Sequence, residues 1–170
     1  MSEFTNFDPK TTLMPVPHTE EVLGREHWIV TKGFEYYIGK KEDNCYIQIP
    51  KGYLTDGATV PKFFRGFVPT WGKYGAATIV HDYLCEYLTI REQGREVVIS
   101  RARGDYIFLE AMKVLNVPWY RRLPMYVAVR LYSLLVKQDQ PSPWEKKRLL
   151  ELALEANFNK HGNYDVPKET

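Results

Sequence analysis

Apolar and polar residues alternate in short segments between positions 27 and 49. Residues 34–38 and 45–49 place apolar side chains at every second position, which is the period of a strand with one buried face. Residues 27–31 are rich in β-prone side chains, and Gly33 and residues 39–44 supply the turns. This pattern predicts a three-stranded antiparallel meander.

The pattern then changes to spacings of three and four residues, which are typical of amphipathic helices. Ser100 is a favourable N-cap for a helix that ends before Pro118. Ser142 is the N-cap of a later helix, with Pro143 at its first position. The predicted helices are residues 74–88, residues 100–116, a central helix within 119–136 that begins near Pro124, and residues 142–159. The fold class predicted is α+β, with a small three-stranded antiparallel sheet followed by a bundle of about four helices.

The 170 residues fit one domain. Residues 1–25 contain Pro15, Pro17 and Gly24 without sustained periodicity, so they are predicted to form an extended N-terminal arm that packs over the domain or reaches a neighbour. Residues 26–160 form the predicted α+β domain, and residues 161–170 form a C-terminal tail.

Composition narrows the classes of function. Apolar residues make up 44% of the chain and charged residues 26%, as in a globular protein. The net charge of +2 comes without a concentrated basic face, so nothing indicates nucleic acid binding. The N-terminus has no signal-peptide pattern, and the apolar segment 123–136 is too short to span a membrane. We expect a soluble protein of the cytoplasm, with Cys45 and Cys85 as reduced thiols.

Four polar residues are candidates for chemistry. His81 and Asp105 both lie on helical faces whose other residues are small or apolar, so both side chains should point inward. Asp56 lies in the loop that leaves the predicted sheet. Asp82 follows His81, about 100° round the helix, on a face that it shares with Glu86.

Two interpretations of these residues remain open. In the structural one, Asp105 pairs with His81 or with an arginine such as Arg101 or Arg103, because a buried carboxylate needs a partner. In the functional one, His81, Asp105 and Asp56 are catalytic, or His81, Asp82 and Asp105 bind a divalent metal ion such as zinc, manganese or iron. Adjacent side chains on a helix diverge, so His81 and Asp82 could share one ion only with distorted geometry or a bridging water. No other cofactor is indicated.

Three ordered segments of the chain resemble a known family. They read IQIPKGYLTDGATVP, GKYGAATIVHDYLC and RARGDYIFLEAMKVLNVPWYRRLPMYVAVRLYS, within residues 28–133. They resemble domain of unknown function 1353, whose members occur mainly in tailed phages and in prophage regions. The family's pattern falls here on Thr55, Asp56, Gly57, Ala58, Pro61, His81, Asp82, Leu84, Asp105 and Phe108. Gly104 departs from it, since the family usually has alanine there. The resemblance implies a phage origin and supplies no activity.

Two classes of function follow. We expect a structural, assembly or interaction protein that binds other phage or host proteins and can be incorporated in the virion, because no recognised catalytic constellation is complete. The alternative is a small hydrolase, with or without a metal ion, that acts through His81, Asp105 and Asp56. Whether the chain is an enzyme is left open, and an open pocket at these three residues would favour the alternative.

Overall fold

The computed structural model describes residues 1–5, 12–56, 74–136 and 145–166. The strands are β1 (Glu3–Thr5), β2 (Leu13–Val16), β3 (His27–Val30), β4 (Phe34–Tyr37), β5 (Cys45–Ile49), β6 (Leu54–Thr55), β7 (Thr89–Glu92) and β8 (Arg95–Val98). The α-helices are α1 (Thr19–Leu23), α2 (Gly75–Tyr87), α3 (Arg101–Val114), α4 (Trp119–Val136) and α5 (Glu145–His161), and Lys41–Asp43 form a 3-10 turn.

Within these ranges the strands form two antiparallel sheets. One has five strands in the order β1-β4-β5-β7-β8, and the other has three in the order β2-β3-β6. The prediction of a single three-stranded sheet is therefore wrong. Strands β4 and β5 do pair with each other, with Phe34 opposite Ile49, but β3 pairs with β2 and β6 instead of β4.

Strand β3 does not pair with β4 as the predicted meander requires, because β3 lies between two apolar cores. Its consecutive residues Ile29 and Val30 are both fully buried, each in a different apolar cluster. After β3 the chain crosses close to β5 at Gly33, where an added Cβ atom would lie 2.9 Å from the carbonyl oxygen of Ile49. Only glycine allows that approach without a backbone shift.

The order of elements mostly follows the prediction, since the long helices come after most of the strands. Strands β7 and β8 depart from this order, because they form a hairpin between α2 and α3. Gln93 and Gly94 both have positive φ, 49° and 80°, as a two-residue type I′ turn requires. Strand β7 also pairs with β5, so the hairpin adds two strands to the sheet that β1, β4 and β5 form.

Two of the predicted helices have nearly the predicted bounds. Helix α2 is Gly75–Tyr87, and the N-cap of α3 is Ser100, whose hydroxyl accepts a hydrogen bond from the Arg103 amide at 3.2 Å. Helix α4 begins at Trp119 rather than near Pro124, which lies inside it. Proline there removes one bond within the helix. Helix α5 extends to His161, and the predicted cap Ser142 lies outside the described residues.

Two apolar cores hold these elements together. The larger lies between the five-stranded sheet and helices α2, α3 and α4, and the smaller joins the three-stranded sheet to α1 and α5. In the segment predicted as an arm, β1 pairs with β4 and β2 pairs with β3, so each sheet gains an edge strand. No helix in the described part of the chain is long and apolar enough to cross a membrane.

Candidate functional site

The centre of the helical layer is a buried ion cluster around Asp105. This residue of α3 is fully buried, and its Oδ1 lies 2.8 Å from His81 Nε2 on α2. Its Oδ2 accepts hydrogen bonds from Ser133 Oγ at 2.8 Å and Arg130 Nη1 at 3.0 Å, both on α4. Arg101 Nε lies 3.5 Å from Oδ1. One carboxylate thus connects three helices.

The charges of this cluster favour an ionised Asp105 beside a neutral His81. Burial acts to raise the pKa of Asp105, but hydrogen bonds from His81, Arg130 and Ser133 outweigh it, and the pKa is lowered. Burial lowers the pKa of His81 more than the Asp105 bond raises it. A carboxylate only accepts hydrogen bonds, so Nε2 of His81 carries the proton and Nδ1 does not.

The surroundings of His81 are closed. Cys85 Sγ lies 3.6 Å from Nδ1 and 3.7 Å from Nε2 of His81. Because the two distances are nearly equal, the sulfur packs against the ring and does not form a directed hydrogen bond with one nitrogen. Burial raises the pKa of the Cys85 thiol, which remains protonated. The ring of Phe108 packs on His81 with its centroid 4.7 Å away. This arrangement suits packing between helices better than attack on a substrate.

Asp82 and Asp56 belong to a second cluster, away from the His81–Asp105 bond. Asp82 Oδ2 accepts a hydrogen bond of 2.6 Å from Thr55 Oγ1 at the end of β6. Asp56 Oδ2 lies 2.8 Å from Arg25 Nη1. Burial raises the pKa of Asp82 well above its usual range, and the charge of Asp56 adds to the rise. Asp82 is half-buried, as is Glu86 on the same face of α2.

The second cluster continues into a buried lysine that the sequence analysis did not single out. Lys147 of α5 is 4% exposed, bonds Glu86, and lies 3.9 Å from Glu151 and 4.0 Å from the centre of the Tyr53 ring. Glu151 also accepts a hydrogen bond from the Leu54 amide at 2.9 Å. Lys147 precedes the buried Leu150 by three residues, and this spacing was the available signal.

The structure therefore divides the candidate residues. His81 and Asp105 meet, whereas Asp82 turns toward Thr55 and Asp56 toward Arg25. Within the ranges that the structure describes, no three His, Cys, Asp or Glu residues are grouped as a metal site. The catalytic and metal-binding roles of these residues stay predictions.

The comparisons with known proteins concern the same part of the chain. A family model described as protein of unknown function (DUF1353) matches residues 28–129, more than half of the chain. The uncharacterized protein y4jT of Sinorhizobium fredii (strain NBRC 101917 / NGR234) is 32% identical over 89 residues, which are 50% of this chain and 23% of that relative. The chain thus spans less than a quarter of that relative's length. No solved structure matches. Because the family model covers most of the sheet-and-helix region described above, this chain belongs to the family of proteins of unknown function DUF1353.

Proposed function

We propose that this protein is a structural, assembly or interaction component encoded by a phage or prophage, and that helix α4 carries its binding surface. The partner would be a phage or host protein, met in the host cytoplasm or in the virion. The observation that carries the proposal is a continuous apolar surface on the outside of α4.

This surface, the α4 outer face, consists of large apolar side chains that are 45% to 82% exposed. They are Trp119, Tyr120, Leu123, Val127, Leu131, Leu134 and Leu135. At 100° per residue they fall within one arc of about 160°. The opposite side of α4 packs into the core through Met125 and Ala128. An exposed apolar patch of this extent is typical of an interaction site.

The buried ion cluster supports the same interpretation. Arg130 and Ser133 of α4 bind Asp105, so the cluster fixes how α4 lies on α3. A closed cluster whose groups bond one another has an obvious structural role. The predicted N-terminal arm, by contrast, lends little support, because β1 and β2 are already paired in the sheets.

The proposal is tested by complementation of a phage or prophage in which the gene is deleted. Val127→Lys and Leu131→Lys change exposed positions and should fold normally, yet they should fail to complement. Leu152→Lys on α5 is the matched control, since Leu152 is 56% exposed and lies outside the α4 outer face. Full complementation by both α4 variants would refute the proposal.

A second candidate, an acid–base hydrolase, is favoured by one observation. Asp82 has a raised pKa and stands near Asp56, whose charge contributes to that rise. A carboxyl whose pKa is raised, beside a second carboxyl, is a typical arrangement for general acid and base catalysis. In this case Asp82→Asn, which keeps the size and the Thr55 bond, should abolish complementation while Val127→Lys is harmless.

A further inference from the structure

We infer that the α4 outer face pairs with the same face of a second copy of this chain, so that two α4 helices cross in an antiparallel arrangement. The inference rests on the proposed function, because it names the partner of that surface. A twofold axis near Val127 would relate the two copies.

The exposed area on α4 matches what such a dimer needs. An aromatic side chain offers up to about 150–250 Å², and the fractions exposed on the α4 outer face correspond to about four such side chains, or roughly 600–1,000 Å² per copy. A stable interface of standard size buries about 800 Å² on each partner. The face is also continuous over about 27 Å, the length of an 18-residue helix.

The spacing within the face suits a helix as the partner. Tyr120, Val127 and Leu134 recur at intervals of seven residues, and Leu131 follows Val127 by four. These are the a and d positions of a heptad, whose side chains interlock with those of another helix. The face would therefore meet an identical helix with compatible spacing.

The charges of α4 permit a second copy, and its helix dipole favours an antiparallel orientation. The helix carries Arg121, Arg122 and Arg130 and no carboxylate. Arg130 is held by Asp105, so the centre of the face presents no free charge to repel its counterpart. Arg121 and Arg122 lie outside the arc of the α4 outer face. A parallel pair would place the like ends of the two helix dipoles side by side, whereas an antiparallel pair sets the dipoles in opposition.

The test measures the mass of the full chain in solution by light scattering and by sedimentation at several concentrations. We expect twice the chain mass of 19.9 kDa for the unaltered protein. Val127→Lys and Leu131→Lys should weaken self-association by at least about 100-fold, because unpaired charges would be buried at the centre of the interface. Leu152→Lys should leave the mass unchanged, and circular dichroism should show that all three variants fold.

Orientation is tested by oxidative cross-linking. Val127→Cys lies near the proposed axis and should form an intermolecular disulfide, whereas Leu134→Cys lies far from its counterpart in an antiparallel pair and should not. The unaltered protein, with Cys45 and Cys85 free, is the control. Efficient cross-linking through Leu134→Cys would overturn the antiparallel arrangement.

Other outcomes separate this inference from the proposed function. A monomer at all concentrations overturns the dimer. If the α4 variants of that monomer still fail to complement, the proposed function stands and a different protein is the partner. If α4 binds anionic vesicles as a monomer, the inference is likewise overturned. A dimer abolished by Val127→Lys, in a protein that still complements, supports the inference and refutes the proposed function.

Discussion

Replacing Asp105 by asparagine should cost a large part of the stability of this protein. The substitution keeps the shape of the side chain and removes the charge that His81, Arg101 and Arg130 surround. Arg130 is 26% exposed and can turn toward water, but Arg101 is only 8% exposed, and its Nε has no hydrogen-bond partner in the described structure. The loss should therefore come mainly from Arg101, left buried without a counter-charge.

Removal of one partner from a buried ion pair costs about 3–5 kcal/mol. Domains are stable by about 5–15 kcal/mol in all, so Asp105→Asn should remove between a fifth of the stability and all of it. For a chain of this length, the corresponding fall in Tm is roughly 6–20 °C.

The measurement is urea unfolding followed by far-ultraviolet circular dichroism. The slope of the unfolding free energy against urea concentration must be the same for the variant and the unaltered protein, so that the midpoints report stability. Asp165→Asn is the control, because Asp165 is exposed and should contribute less than about 0.5 kcal/mol. If the buried charge of Arg101 causes the loss, the double variant Arg101→Met, Asp105→Asn should be more stable than the sum of the two single losses predicts, by about 1–3 kcal/mol. A loss below about 1 kcal/mol for Asp105→Asn alone would show that the cluster is not a structural centre.

Three further substitutions test other parts of the structure. Gly104→Ala should stabilise the protein by about 0.5–1 kcal/mol, because the added Cβ would meet Leu84 Cβ at an ordinary 3.6 Å and alanine favours the helix; a lower unfolding midpoint would contradict this. Ser100→Ala should cost about 1 kcal/mol through loss of the N-cap of α3, and Ser100→Gly only a few tenths; equal losses would show that the cap bond is unimportant. Asp82 has a raised pKa in the fold, so its contribution to stability is full below the unfolded pKa of about 3.8–3.9 and is lost as the pH rises through the folded value. Asp82→Asn should therefore gain stability relative to the unaltered protein as the pH increases above about 4, and a difference that does not vary with pH would refute the assignment.

The features that the sequence predicted are those that depend on local spacing. Helices α2 and α3 have apolar faces and, for α3, a side-chain cap, so periodicity located them within a few residues. The same periodicity placed His81 and Asp105 inward. The cost of burying an unpaired carboxylate predicted a partner for Asp105 but left His81 and the arginines as alternatives, and the structure shows both kinds of partner.

The features that it missed depend on contacts distant in sequence. Ile29 and Val30 are both buried, so alternation could not tell which strands lie beside β3. The β7–β8 hairpin has a Gln-Gly turn that could have been recognised, although it lacks the stronger Asn-Gly signal. Lysines are rarely buried, so the spacing of Lys147 from Leu150 was too weak a signal to predict its burial, which depends on the distant Glu86.

The edge strands β1 and β2 have a practical consequence for the choice of expression boundaries. A fragment cut to the family match, residues 28–129, would leave β4 and β3 with unpaired backbone groups along one edge each. It would also end within α4, before Arg130 and Ser133 reach Asp105, and it would lack α5. Exposed edges of this kind pair with other chains. Such a fragment should aggregate, and a soluble version must include both flanking segments.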